Sequence, residues 1–373
     1  MLHPVLAAAE TKLSLRLEAR GNMSLLGGPR RCLLVSRAEK APQPDTPWLR
    51  GTLLAVERIV AAKEALVTGA ERLAWDAALL KCRKMQGRSI VVLDKPPADP
   101  ASPLFCDDFL TVYPLEPVEP QIRDRLIGLL ADRAYAIQIR KNGNMAAVAA
   151  ELAARGCSVE SIPALPPAPI ATTESAQAET KDPLPPPADW PWLTHYTRAP
   201  DGQWPGESPQ DYLNWLCDGS SLPRDSFAAL CRILSERRLA ACGRLMPGNT
   251  PMVCFTELHP GFVAPLRRWR RGLRRWTFTR YGLAIRRETL IGLGARRVEY
   301  VTKDVLSAAA PEHSKYMQLE RSGDYDWSAE KEWRIAGDVA LSEIRTVDLL
   351  ALVTSQAEKA ILQQRFSISA VFA

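Results

Sequence analysis

Histidine is scarce in this chain, with four among 373 residues, and none of the eight cysteines lies in the two-residue spacing of a zinc knuckle or redox motif. No histidine pair has helical spacing and no calcium-loop pattern occurs, so no metal site is expected. The cysteines, Cys32, Cys82, Cys106, Cys157, Cys217, Cys231, Cys242 and Cys254, read as reduced core thiols. No apolar run is long enough to cross a bilayer. The opening residues do not combine a basic start, an apolar stretch and a small-residue cleavage site, which predicts a cytoplasmic protein with no membrane partner. Charge of one sign is lacking too: 48 basic against 42 acidic residues leave +6, too little to make the whole molecule a nucleic-acid binder. No glycine-flanked serine nucleophile appears.

What is present is apolar content of 46% in a chain long enough for two cores, since single cores seldom grow past roughly 250 to 300 residues. Residues 164–190 hold Pro166, Pro167, Pro169, Pro183, Pro185, Pro186 and Pro187 around a polar stretch, a composition that cannot bury enough apolar surface to fold. The expected organisation is therefore a first domain over 1–163, a proline-rich linker over 164–190 and a second domain over 191–373.

In the first domain, strands are predicted over 31–36, 64–68, 89–93, 135–139 and 158–162, with helices over 53–63, 75–85 and 145–155 and Gly156 as a C-cap. The runs Cys32-Leu33-Leu34-Val35 and Ile90-Val91-Val92-Leu93 are continuously apolar, which suits strands covered on both faces of a parallel sheet. This is an α/β, doubly wound, Rossmann-like pattern. Ligands of such sheets bind at the carboxyl ends of the strands. Two loops fall there: Ser36-Arg37 after the first long strand, and 68–72, where Gly69 permits close backbone approach to a phosphate and Arg72 adds a cation. The competing account makes Gly69 a simple turn and the arginines solvated.

Four features in order, the strand ending at Ser36-Arg37, the run from Thr68-Gly69 to Asp76-Ala77-Ala78-Leu79, Gly87 before the strand at 89–93, and residues 122–127 leading into the last strand-helix-strand, make this half similar to a known group. It resembles the DNA-processing proteins of bacterial natural competence and the wider superfamily of nucleotide-sensing Rossmann domains related to the lonely-guy enzymes, over residues 22–163. The glycine-rich phosphate loop and catalytic glutamate of the phosphoribohydrolase members are missing. The resemblance thus implies binding of a nucleotide or nucleic acid through Ser36, Arg37, Gly69 and Arg72, without hydrolysis.

The second domain reads as α+β, with short strands over 252–255, 281–285, 297–301 and 349–353, then a helix over 356–366 and a strand over 367–372. His195 stands in a short strand with Tyr196 and Thr197, whereas His3, His259 and His313 fall in a tail or on the surface. Alternation over 330–335 places Glu330, Glu332 and Arg334 on one strand face. Residues 265–280 carry seven arginines among Trp269, Trp276 and Phe278. One reading is a nucleic-acid or phosphate groove using Arg267, Arg268, Arg270, Arg271, Arg274 and Arg275. The other is an amphipathic helix with Leu266, Trp269, Leu273 and Trp276 inward.

The ordered set His195-Tyr196-Thr197, residues 251–257, residues 281–285, Val298-Glu299-Tyr300 and residues 330–334 resembles a bacterial domain found near abortive-infection and phage-defence genes, itself similar to histidine-tyrosine-glutamate ADP-ribosyltransferases. The resemblance implies an ADP-ribosyltransferase-like effector domain with NAD as substrate. His195, with Tyr196 and Thr197, would seat the adenosine-side ribose, Tyr281 would stack on nicotinamide, and Glu332 would stabilise the cation formed as the glycosidic bond breaks, with Glu330 as the alternative carboxylate. It further implies a defence or toxin role with a protein partner from the same operon, and leaves oligomeric state open. The alternative from another class is a non-catalytic DNA- or RNA-binding protein whose carboxylates are structural.

Overall fold

A computed structural model describes residues 3–36, 42–97, 102, 104–163, 190–200, 202–218, 224–244, 246–270, 275–323 and 325–372. The predicted linker lies almost wholly outside them. The chain is mixed α/β and divides into two compact units, Met1–Ile170 with Asp201–Ser221, and Ala171–Pro200 with Leu222–Ala373.

The first unit is built on seven strands: β1 (Leu17–Gly21), β2 (Arg30–Val35), β3 (Ala65–Gly69), β4 (Arg88–Val92), β5 (Asp108–Pro114), β6 (Arg133–Ile137) and β7 (Ser158–Ser161). Their order is β1-β5-β4-β3-β2-β6-β7. All neighbours are parallel except β1, which runs antiparallel to β5. Helices α1 (Pro4–Leu13), α2 (Pro47–Ala61), α3 (Leu73–Lys84), α4 (Pro120–Leu129) and α5 (Asn144–Ala154) complete a Rossmann-like unit. Every residue of β2 and β3 is buried, which is why Cys32 to Val35 and Ala65 to Val67 run apolar without alternation. The chain walks outward from β2 to β5, then returns to place β6 on the other side of β2. That reversal puts the ligand crevice of such folds beyond the carboxyl ends of β2 and β6.

One helix joins this unit from beyond the proline-rich segment. In α6 (Pro209–Asp218), Tyr212, Leu213, Trp215 and Leu216 bury against a core containing Trp48, Leu66 and Ala77. The sequence division places this helix with the second half, because amphipathic periodicity shows that a face is buried without showing against what.

The second unit centres on a seven-stranded sheet of β8 (Trp192–Tyr196), β9 (Met252–Thr256), β10 (Gly282–Arg286), β11 (Arg296–Arg297), β12 (Glu332–Ala336), β13 (Leu349–Val353) and β14 (Ser369–Phe372). The order is β11-β12-β9-β8-β10-β13-β14, antiparallel throughout except for β13 with β14. Helices α7 (Ser226–Glu236) and α8 (Gln356–Phe366) contribute Leu230, Leu234 and Leu362 to its core beside Leu193, Phe255, Leu283 and Ile335. At the centre of the sheet β8 and β9 share a single register pair, Thr194 opposite Thr256. Among the described residues, no helix is long and apolar enough to cross a membrane.

Gly69 has a packing reason. A Cβ there would lie 2.4 Å from the Trp75 ring, whereas one at Gly28 would meet nothing within 4 Å. Gly69→Ala is therefore expected to destabilise the protein by roughly 1–3 kcal/mol through overpacking, while Gly28→Ala leaves the urea midpoint close to that of the parent; equal midpoints for the two variants would contradict the packing account.

Candidate functional site

In the second unit a cleft of about 420 Å³ opens on the sheet where β8 and β9 part. Alternation along β8, β9 and β12 places Thr194, Tyr196, Cys254, Thr256, Glu332 and Arg334 in its wall, joined by Arg198, Arg270, Phe278, Gln318 and Trp327. His195 also lines it. Its Nδ1 meets the carbonyl oxygen of Cys254 at 2.9 Å, bridging the strands where the ladder lapses. A carbonyl only accepts, so Nδ1 carries the proton and Nε2 is left as an acceptor. Burial depresses the imidazole to about 4, so the ring is neutral near pH 7.

The two carboxylates reach the cleft by different routes. Glu332 opens β12, as alternation predicts, but Glu330 ends a 3-10 turn, Trp327–Glu330, and Lys331 between them is left-handed with φ 47°. The predicted strand over 330–335 thus begins two residues later. Asp326 caps the turn, accepting from the Ser328 amide at 2.9 Å. Burial raises the pKa of Glu330, the hydrogen bond from the Tyr325 hydroxyl opposes this, and Glu332 adds to the rise. Thr256 donates to the Glu330 carbonyl at 2.5 Å, and the Glu332 amide donates to the Tyr300 hydroxyl at 2.8 Å.

Arg334, 1% exposed, grips Glu332 with two bonds of 2.9 Å, from Nε to Oε1 and from Nη2 to Oε2. Its other donors reach the carbonyls of Lys315 and Met317 and the Gln318 side chain, each at 2.9 Å. Burial and the adjacent Glu332 push the Cys254 thiol well above its ordinary range, keeping it protonated. Two wall hydroxyls, Thr194 Oγ1 and Tyr196 Oη, are buried without a hydrogen-bond partner. Buried polar groups are normally satisfied, so these two are bonding capacity left unspent in the wall.

Tyr281 does not line the cleft. It is 1% exposed, and its hydroxyl meets Glu358 Oε1 at 2.8 Å and Thr354 Oγ1 at 3.0 Å, tying β10 to the start of α8. Its ring is therefore unavailable for stacking on a ligand; an aromatic at the mouth of a strand gives no sign of which face it takes. Thr197 is likewise committed, donating to the Ser226 carbonyl at 2.7 Å. His3 and His259 each cap a helix, accepting from the amides of Val5 and Gly261.

The cleft also holds residues the motif reading passed over. Arg198, three places after His195, donates to the Thr277 carbonyl at 2.7 Å; its proximity in sequence to His195 was the available signal. Trp327, within the same segment as Glu330, lies beneath the Arg270 guanidinium at 4.5 Å.

In the first unit, Ser36 Oγ is buried without a partner, beside the α5 N-terminus, where Gly143 provides no side-chain cap. Arg72 and Arg123 lie against Trp75 at 4.7 and 4.5 Å, and Arg123 is bonded to Asp94 and Asp124. Arg37, Arg271 and Arg274 lie outside the described residues, as does the side chain of Arg275. Arg267 is half-buried, Arg268 exposed and Arg270 half-buried. Among the described residues, no cluster of side chains could hold a metal ion.

Solved structures similar to this chain include DNA processing protein A from Streptococcus pneumoniae, at 20% identity and TM-score 0.31, covering 39% of this chain and 54% of that one. Another is DNA processing protein A from Helicobacter pylori, whose structure is described for its single-stranded DNA binding mode, at 16% identity and TM-score 0.31, covering 39% of this chain and 70% of that one. The chain thus spans about half the length of the pneumococcal protein. The likeness concerns fold, and no residue role passes from those proteins to this one. Neither a family profile nor a curated protein matches the sequence.

Two outcomes follow from this geometry. Removing Arg334 as Arg334→Met strands Glu332 and is expected to destabilise the fold by about 3–5 kcal/mol, with part regained in the double variant Arg334→Met/Glu332→Gln; an additive double variant would show that the pair is not coupled. Because the folded state depresses His195 to about 4 from an ordinary 6.5, its contribution to stability is complete above pH 6.5 and declines as pH falls toward 4. His195→Gln should flatten that part of the pH–stability curve, and an unchanged acid slope would remove the imidazole as its cause.

Proposed function

We propose that the cleft of the second unit binds NAD and breaks its nicotinamide glycosidic bond, as an ADP-ribosyltransferase-like domain or glycohydrolase, under the control of a first unit that binds a nucleotide or nucleic acid. The observation that carries this reading is that His195, Glu330 and Glu332, distant in the chain, line one cleft whose wall contains two unpartnered buried hydroxyls. Its volume of about 420 Å³ falls in the roughly 300–1,000 Å³ range of small-molecule sites.

The chemistry assigns different work to the carboxylates. As the bond from the ribose carbon to the nicotinamide nitrogen breaks, nicotinamide leaves with the electron pair and positive charge develops on the sugar. Glu332, fixed by Arg334, is a carboxylate already oriented when that charge appears, which lowers the barrier without reorganisation. Water or another acceptor then bonds to the carbon and releases a proton, which the ionised fraction of Glu330 accepts. His195 Nε2 accepts from a ribose hydroxyl, and the cleft arginines Arg198 and Arg270 suit the pyrophosphate. With Tyr281 enclosed, the aromatic surface offered to a planar ring comes from Tyr196, Phe278 and Trp327. For the first unit, the support is the unpartnered Ser36 hydroxyl at the α5 N-terminus, on the side of the sheet where such folds bind anions.

The enclosed Tyr281 favours a second reading, a non-catalytic nucleic-acid-binding protein in which Glu332 serves only to satisfy Arg334. Incubation of the full chain with NAD, with and without nucleotides and single-stranded DNA, separates the two through the nicotinamide released. The first reading expects release, lowered about a hundredfold or more in Glu332→Gln and lowered also in Glu330→Gln, with thermal melts confirming that both variants fold. Intact NAD under every condition would overturn the first.

A further inference from the structure

We propose that the hairpin at the mouth of the cleft, Trp269–Arg270 paired with Arg275–Trp276, is a docking surface for single-stranded nucleic acid. Helical spacing would have turned both tryptophans inward. Instead the segment is antiparallel, with Trp269 opposite Trp276 and Arg270 opposite Arg275. The two indoles stand in water, 51% and 43% exposed, with ring centroids 5.8 Å apart at 70°.

Two large rings exposed side by side forfeit the burial that ordinarily places tryptophan, and the hairpin that displays them is firmly seated. The Thr277 hydroxyl donates to the Leu266 carbonyl at 2.8 Å and accepts from the Arg268 amide at 2.9 Å, while the Thr277 amide donates to the Arg268 carbonyl at 2.9 Å. Arg198 clamps the Thr277 carbonyl from the cleft side. The rings are thus presented on a fixed base.

Charge selects the partner. Residues 264–280 contain seven arginines and no acidic residue. Arg268 is exposed, and Arg270 lies over Tyr325 and Trp327 at 4.8 and 4.5 Å with its guanidinium in the cleft wall. Guanidinium forks bond phosphate oxygens, and indole faces stack on bases once those are unpaired. An acidic peptide would use the arginines and leave the indoles idle. A duplex would keep its bases from them. Because Arg270 and Thr277 also line the cleft, a strand held here lies at its entrance.

The surface is independent of the NAD reading, and so is its test. Fluorescence anisotropy of the full chain with labelled single-stranded DNA, single-stranded RNA and duplex, without NAD, should show both single strands bound more tightly than duplex. The variant Trp269→Ala/Trp276→Ala is expected to lose about tenfold to a hundredfold in affinity with little change in salt dependence. Arg268→Gln should reduce the slope of log affinity against log salt by about one. Photo-crosslinks from a halogenated-uracil strand should map to Trp269 or Trp276, which separates this surface from any binding by the first unit. The proposal is overturned by unchanged affinity in the double tryptophan variant, by crosslinks confined to other segments, or by binding of anionic vesicles in preference to oligonucleotide. Oligonucleotide binding without nicotinamide release would leave the surface standing and remove the NAD reading alone.

Discussion

The contact between Arg334 and Glu332 is the one on which the second unit's cleft depends. A guanidinium withdrawn from water is tolerated only when its charge is balanced and its donors are satisfied, and here every N–H donor group has a partner at 2.9 Å. Two of the partners are backbone carbonyls from 315–317, so the arginine ties that segment to β12 while it orients the carboxylate. Glu332 is consequently held in place, whereas Glu330 is lifted by burial and bonded to a tyrosine hydroxyl. Two carboxylates two residues apart acquire different characters because a left-handed Lys331 sends them to different surroundings.

How much of this could be read from residues alone varies with the physics of each signal. Strands buried on both faces leave continuous apolar runs, so β2, β3 and β4 stand within a residue or two of their predicted bounds. β5 carries a similar run, Phe109 to Tyr113, that the sequence reading leaves unassigned, while α6, returning from past the proline-rich segment, bears no trace of where it packs. In the cleft, charge alternation correctly put Glu332 beside Arg334, and His195 was conspicuous by scarcity. Tyr281 was not legible, since its side chain could be assigned a ligand or a structural carboxylate only once Glu358 was seen beside it. The arginine-rich segment misleads for a definite reason: a separation of seven residues fits two helical turns and equally fits two partners facing each other across a hairpin.

The first unit shows the same division between saturated and unsaturated chemistry. On its sheet Arg31 is buried among Glu64, Glu160 and the Tyr135 ring, and Arg133 adds to Glu64. These contacts sit at the amino ends of β2 and β6 and leave no role beyond cohesion. At the carboxyl end Arg123 is similarly absorbed by Asp94 and Asp124, and Gly69 lies close against the Trp75 ring. Groups with bonding capacity unspent include the Ser36 hydroxyl, near an uncapped helix start, and those of Thr68, Ser89 and Thr111.

The bonding of His195 bears on the ligand proposed for the cleft. The imidazole replaces a backbone ladder contact, and this use of Nδ1 determines the tautomer. A neutral ring with its second nitrogen bare offers no attraction to a phosphate, but it accepts well from a sugar hydroxyl. Arg198 and Arg270, also in the cleft wall, are the cations that would meet anionic groups. A ligand that complements both would carry hydroxyls and anionic groups together. The sugar-phosphate framework of the dinucleotide proposed above has both in one molecule, whereas a plain phosphate or a carboxylic acid has only one.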